Sequence, residues 1–220
     1  MTTDGRFDNY QYSFSGMPPK AGKGLEPIPT EESERRFRQM MEEPLGLAAE
    51  IGSVDIVVGI PFYNEADTIA SVVETAREGL EEFYPGQRAI IAAVGSPMGD
   101  ECLKVLSKIP QGEAIRHMAF LLKDENINGK GWAIRAAMEI AQIVTADLVI
   151  LEADLTAMER NGEVGGLAPN WIPLLLEPIK EERIDLVVAR FNRHPLETPI
   201  STQLIYPLLS SIYNCPIHDV

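Results

Sequence analysis

A three-layer α/β domain with a mainly parallel sheet is the fold that this 220-residue chain predicts, and three observations carry that reading. Short apolar runs bounded by turn residues recur along the chain, and each is followed by a longer segment with apolar residues at helical spacing. The alternation shows no internal repeat. The polar residues capable of chemistry sit in the loops after the apolar runs, where an open parallel sheet collects its ligands.

Residues 1–28 are rich in Gly, Pro, Ser and aromatics without sustained periodicity, and are expected to form a flexible extension. Residues 29–53 form an N-terminal helical segment. Thr30 provides a cap, acids follow, and Phe37, Met40 and Met41 give an apolar face for the domain or a partner chain. The main domain spans 54–220. It opens with DIVVGIPFYNEADT (residues 55–68), an apolar run that meets Pro61, turns at Asn64-Glu65 and starts a helix that Asn64 or Asp67 is placed to cap. Ile69, Val72, Val73, Ala76, Leu80 and Phe83 supply that helix's buried stripe.

A second buried strand is expected at 88–94, a loop at 95–99 and a short helix over 100–108. The third strand covers 117–122. A helix over 130–144 buries Ile134, Ala137, Met138, Ala141 and Val144, and the fourth strand, 147–151, ends in Glu152-Ala153-Asp154. A loop at 161–169 leads to a helix over 170–182, where Pro173 falls in the tolerated first turn. A fifth strand at 185–191 and a helix over 203–213 complete the reading.

Composition excludes several function classes. The net charge of -14 and a pI near 4.6 argue against nucleic acid or an anionic membrane as partner, since both require clustered Lys and Arg. Two cysteines, Cys102 and Cys215, suggest neither a disulfide framework nor a zinc site and fit a reduced, cytoplasmic setting. No apolar run reaches the roughly 20 residues of a membrane span, and no signal-peptide pattern opens the chain. Periodicity leaves a homo-oligomer open.

The candidate site residues lie after different strands. Glu152 and Asp154, two apart on a nearly extended backbone, can present both carboxylates to one side as hard oxygen ligands for Mg2+ or Mn2+. A solvated acidic loop is the other reading. Lys130 starts a helix, where the dipole disfavours a cation by roughly 0.3–1 kcal/mol unless an anion is bound. A diphosphate reverses that sign, and Gly129 and Gly131 let it approach the backbone; an exposed lysine in a glycine loop is the alternative. Glu65 is either an acceptor for a nucleobase or ribose, or a helix-start acid. Ser96 is a ligand or a turn residue. Arg190, Arg193 and His194 either grip a carboxylate or phosphate of a second substrate or form a solvated basic loop. The P-loop and G-x-G-x-x-G patterns are both missing, and the three histidines show no ligand spacing.

Three motifs, VVGIPFYNEADTI, GKGWAIRAAMEIA and ADLVILEADLTA, with the late segment DLVVARFNRHPLETPISTQLIYPLLSSIYNCPI, resemble the nucleotide-sugar glycosyltransferases of the GT-A fold, family 2-like. The late segment narrows the resemblance to the retaining synthases that make mannosylglycerate or glucosyl-3-phosphoglycerate, over residues 54–217. The first motif specifies the fold more than the substrate; its combination with G-K-G and acid-x-Asp is more specific.

The resemblance implies a Rossmann-like GT-A domain that transfers a hexose, with retention, from a GDP- or UDP-linked donor to a small acidic acceptor such as glycerate or 3-phosphoglycerate. It places Pro61, Phe62, Asn64 and Glu65 around the nucleoside, Ser96 against it and Lys130 at the diphosphate. Asp154 becomes the ligand of Mg2+ or Mn2+, with Glu152 where the family has the first Asp of D-x-D; the extra methylene shifts the metal or leaves Asp154 as its one carboxylate. Arg193 and Thr202 become acceptor-side residues. The family's remaining acceptor contacts and a further metal ligand are expected beyond Val220, which keeps a noncatalytic nucleotide-sugar-binding or assembly module as the alternative. A nucleotidyltransferase would want a Gly- and Arg-rich loop where this chain has PFYNEAD.

Overall fold

The strand at the centre of the sheet, β1 (Ile56–Phe62), is buried at every residue, as is its neighbour β2 (Ala89–Gly95). In the computed structural model, which describes residues 30–96, 100–124, 127, 129–155, 158–160, 163–189 and 200–213, these strands join β3 (Ile115–Leu121) and β4 (Asp147–Ile150) in a four-stranded sheet of order β3-β2-β1-β4. All three pairings are parallel. Parallel strands covered on both faces lose the polar alternation of a half-exposed strand, which is why IVVGIPF and AIIAAVG read as continuous apolar runs.

Alternate residues of β1 separate two cores. Ile56, Val58, Ile60 and Phe62 pack with α2 (Ile69–Phe83), α3 (Asp100–Leu106) and α5 (Trp171–Glu182). Val57, with Ile90, Ala92 and Val94 of β2, faces α1 (Glu31–Ile51) and α4 (Lys130–Val144). Each fully buried Ile or Leu contributes roughly 1.5–3 kcal/mol by leaving water. α4 comes close to β1 because Gly59 has no side chain: a Cβ there would lie 2.6 Å from Ala137 Cβ and 2.7 Å from Ile150 Cδ1.

Helix α1 begins as the Thr30 cap foretells, with Thr30 Oγ1 accepting from Ser33 N–H at 3.1 Å. It then runs through Pro44 to Ile51, giving up one backbone bond at the proline. It lies on α4. Glu34 takes a two-pronged bond from Arg135 at 2.5 and 2.7 Å, and the Arg135 guanidinium stacks 4.5 Å over the Phe37 ring. Arg135 holds the Glu34 carboxyl below its ordinary range, first by hydrogen bonding and then by its charge, against partial desolvation.

Several expectations need correction. Residues 185–189 form no strand: Leu186 and Val188 stand 74% and 56% exposed and meet no ladder partner among the described residues. Residues 190 and 191 of that expected strand lie outside the described residues, as does the extension expected at 1–28. Part of the loop expected at 161–169 belongs to a hairpin of β5 (Met158–Arg160) and β6 (Glu163–Gly165), too short for periodicity to show. β4 is only partly buried because it ends the sheet.

On α4 the buried stripe is Ala133, Ala136, Ala137, Ile140, Ala141 and Val144, while Met138 is 54% exposed. The small alanines, which hydrophobicity ranks low, are what the close approach to Gly59 requires. Phe83 on α2 is 40% exposed, and neither Asn64 nor Asp67 caps that helix, whose N-cap is Thr68 without a side-chain cap bond. The last helix is a π-helical segment, Ser201–Ile205, followed by α6 (Tyr206–Tyr213). Among the described residues no helix is long and apolar enough to cross a membrane.

Gly59→Ala is expected to cost about 1–3 kcal/mol through overpacking against α4, read as a shift in the urea midpoint; an unchanged midpoint would show that α4 moves freely. The lowered pKa of Glu34 makes its contribution present above the ordinary carboxylate value of 4.5 and lost as pH falls through the lower folded value. Thermal unfolding of Glu34→Gln should therefore converge on the parent at acid pH and fall below it near neutrality.

Candidate functional site

Parallel pairing brings the ends of β1, β2 and β4 to one edge of the sheet, beside the start of α4. A pocket of about 130 Å³ opens there, lined by Pro61, Phe62, Tyr63, Glu65, Ser96, Gly129, Lys130, Ala133, Glu152, Ala153 and Asp154. It gathers most of the residues singled out from the sequence. Its volume is below the roughly 300–1,000 Å³ of pockets that enclose a whole small-molecule ligand, so it suits one portion of a larger molecule lying across the edge.

The floor comes from β1 and β2. Phe62 is a core side chain at 5% exposure, and its ring lies over Gly95, where a Cβ would approach it to 2.3 Å. It therefore shapes the floor and offers no free face for stacking. Ser96, next along β2's exit, is 6% exposed, and among the described residues its hydroxyl has no hydrogen-bond partner. A buried hydroxyl without a partner costs on the order of 1–3 kcal/mol, which a polar group entering the pocket would relieve.

Glu65 folds back on its own loop. Its Oε2 accepts from the backbone N–H of Tyr63 at 2.5 Å and of Asn64 at 2.8 Å, so one oxygen is already committed to shaping the turn. Asn64 is exposed and does not line the pocket. Tyr63, half exposed at the rim, also lines the pocket, a role that its place within the same motif does not by itself reveal.

Across the pocket, Lys130 opens α4 behind Gly129, whose φ of 98° is left-handed and favours glycine. Lys130 Nζ is paired with Glu152 Oε1, which offsets the repulsion between a cation and the positive helix end. Asp154 is exposed, and among the described residues it has no ion-pair partner.

The turn that carries both acids is fixed from behind. Leu151 N–H donates to Gly59 O at 3.0 Å, Ala153 is 2% exposed, and Thr68 Oγ1 donates to Ala153 O at 2.7 Å. Thr68 had no signal in the sequence, since its partner lies 85 residues away.

Among the described residues no three His, Cys, Asp or Glu side chains gather to hold a metal ion. The donors present are two carboxylates two residues apart, one of them paired to a lysine. That set fits a hard cation completed by water and substrate phosphates, as Mg2+ and Mn2+ sites commonly are, and not an all-protein cage. Arg193 lies outside the described residues; Thr202 sits in the π-helical segment, with its side chain outside them.

No family model matches the chain. A stretch of 117 residues, 53% of this chain, is 31% identical to Glycosyltransferase AglD of Haloferax volcanii and covers 18% of that protein. Two crystal structures of glucosyl-3-phosphoglycerate synthase from Mycobacterium tuberculosis are similar at 19% and 18% identity, with TM-scores of 0.45 and 0.47. They cover 78% and 77% of this chain and 53% of each synthase. One of them holds Mn2+, UDP and phosphoglyceric acid. The chain thus spans about half the length of these solved structures and under a fifth of the curated relative. Over the aligned stretch the chain is similar to a glycosyltransferase, the class that its motifs resemble.

Thr68→Val should lower stability by about 1 kcal/mol through loss of one hydrogen bond, measured by urea unfolding, with Thr68→Ser close to the parent. Equal losses in both variants would show that the bond to Ala153 contributes nothing.

Proposed function

We propose that this chain binds a nucleoside diphosphate sugar, GDP- or UDP-linked, as the donor side of a hexosyltransferase acting on a small acidic acceptor such as glycerate or 3-phosphoglycerate. The observation that carries the proposal is one pocket at the carboxyl edge in which the buried Ser96 hydroxyl, without a partner among the described residues, a lysine at a helix N-terminus and the Glu152/Asp154 pair converge. The 31% identity to a glycosyltransferase supports it, and the resemblance of the late segment to retaining synthases favours retention.

The residues divide the work by their chemistry. Pro61 and Phe62 form an apolar floor for the nucleoside, and Ser96 supplies the hydroxyl that its polar edge would satisfy. Lys130 and the N–H groups at the start of α4, which has no side-chain cap, favour the diphosphate, whose charge would draw Lys130 from Glu152. Asp154, with Glu152 beside it, would hold a divalent cation, which when bound supplies charge stabilisation to the leaving diphosphate. Transfer then rests on stabilising a charge that grows on the leaving group, a role that groups fixed before reaction perform well. Acceptor contacts by Arg193 and Thr202 belong to the same proposal.

Calorimetric titration with UDP, GDP and their sugars, with and without Mn2+ or Mg2+, tests this. Binding is expected to require the cation and to vanish in Asp154→Ala. Removing a charged hydrogen bond at about 1.5–3 kcal/mol should make Lys130→Ala bind roughly 10- to 100-fold more weakly. Binding that ignores the cation and survives Asp154→Ala would refute the metal assignment. Tight binding without sugar transfer or donor hydrolysis would favour a noncatalytic binding module.

A further inference from the structure

Helix α4 presents Lys130 to the pocket, yet its own start does little to fix it there. The N-cap is Gly129, which makes no side-chain cap bond, and glycine leaves the backbone freest to move. Restraint comes instead from α1, which grips the chain on both sides of Lys130.

Before Lys130, Arg36 Nη1 donates to Asp124 Oδ2 at 3.0 Å. Asp124 opens a turn that Ile127 closes, with Ile127 N–H donating to Asp124 O at 3.0 Å. The Ile127 side chain is fully buried in the core that Phe37 and Met41 of α1 share. After Lys130, the Phe37 and Trp132 rings meet with their centroids 5.0 Å apart, and Glu34 holds Arg135 through both carboxylate oxygens. The two ion pairs join residues 88 and 101 positions apart, so neither is a pairing within one helix.

Arg36 is itself held in place. Glu32, one turn earlier on α1, accepts from Arg36 Nε at 3.0 Å, which leaves Nη1 directed at Asp124. The Asp124 side chain is 19% exposed and that of Arg36 39%, whereas the neighbouring Arg35–Glu32 contact is 73% and 58% exposed. Exposed pairs contribute little because water screens them; the bridge to Asp124 is the better shielded of the two.

We propose that Arg36 and Asp124 are positioning residues for the donor pocket. Through their pair, α1 holds the chain ahead of α4 so that Lys130 stays at the pocket for the diphosphate. Neither residue lines the pocket; both act through the segment that carries Gly129 and Lys130. The proposal rests on the donor reading of that pocket, and it makes the N-terminal helix part of the donor site without contact to the ligand.

Arg36→Gln, Asp124→Asn and the double variant test this by two readouts, residue-resolved amide exchange and calorimetric titration with UDP and Mn2+. Each single variant should exchange about tenfold faster at Ile127 and Ala133, whose N–H groups close the turn before α4 and the first turn of α4, while Ile91 and Ala93 in β2 keep their protection. UDP should bind roughly 2- to 30-fold more weakly. The double variant should lose no more than the weaker-binding single one, as one shared interaction requires, and Arg36→Lys, which keeps a donor for Asp124, should stay closer to the parent in both readouts. Unchanged exchange at Ile127 and Ala133 would overturn the proposal, as would faster exchange with UDP affinity unchanged, or losses that add in the double variant. If the parent binds no UDP, the donor reading fails and exchange alone decides: faster exchange at Ile127 and Ala133 supports the hold on the start of α4, and unchanged exchange overturns it.

Discussion

β1 carries parallel ladders on both sides, to β2 and to β4, and that double pairing determines where chemistry is possible in this molecule. Parallel strands all release their chains at one edge, so the exits of three strands distant in sequence meet there without any direct attraction between the loops. Ser96, Glu65 and the Glu152/Asp154 turn become neighbours by this geometry. The same strand carries Gly59, whose missing side chain lets α4, which Lys130 opens, pack closely against β1. Packing on one face of the sheet and electrostatics at its end are thus a single problem.

The electrostatics follow from how acidic the chain is. With a net charge of -14 it repels polyanions at long range, so an anionic ligand must be met by charge provided locally. Lys130 and the start of α4 supply that charge, while Glu152 occupies the lysine. The cost of displacing Glu152 is modest, because both side chains are about half exposed and such pairs contribute little in water. Asp154 contributes the opposite need, a carboxylate to be matched by a cation. A diphosphate together with a divalent ion answers both requirements at once, which a simple anion or a simple cation would not.

Much of this was legible in the sequence because buried parallel strands and their exits leave strong local signals. The apolar runs of β1 and β2, the helix opening at Lys130 and the placement of Glu65, Ser96, Glu152 and Asp154 at strand ends could be read from residue order alone. What could not be read depends on contacts far apart in the chain. Thr68 holding Ala153, and Arg135 tying α4 to Glu34 of α1, have no periodic signature. The stripe of α4 was misjudged because hydrophobicity favours Met138, whereas the close approach to Gly59 selects alanine. Residues 185–189 carry a strand-like apolar pattern, but a strand exists only where a ladder partner stands beside it.

The most direct measurement is a structure of the chain with UDP and Mn2+ bound. The nucleoside is expected on the Pro61 and Phe62 floor with a polar atom within hydrogen-bond reach of Ser96 Oγ, the diphosphate beside Lys130 and the cation on Asp154. UDP seated elsewhere, or a pocket left empty at saturating UDP and Mn2+, would contradict the assignment of this edge as a donor site.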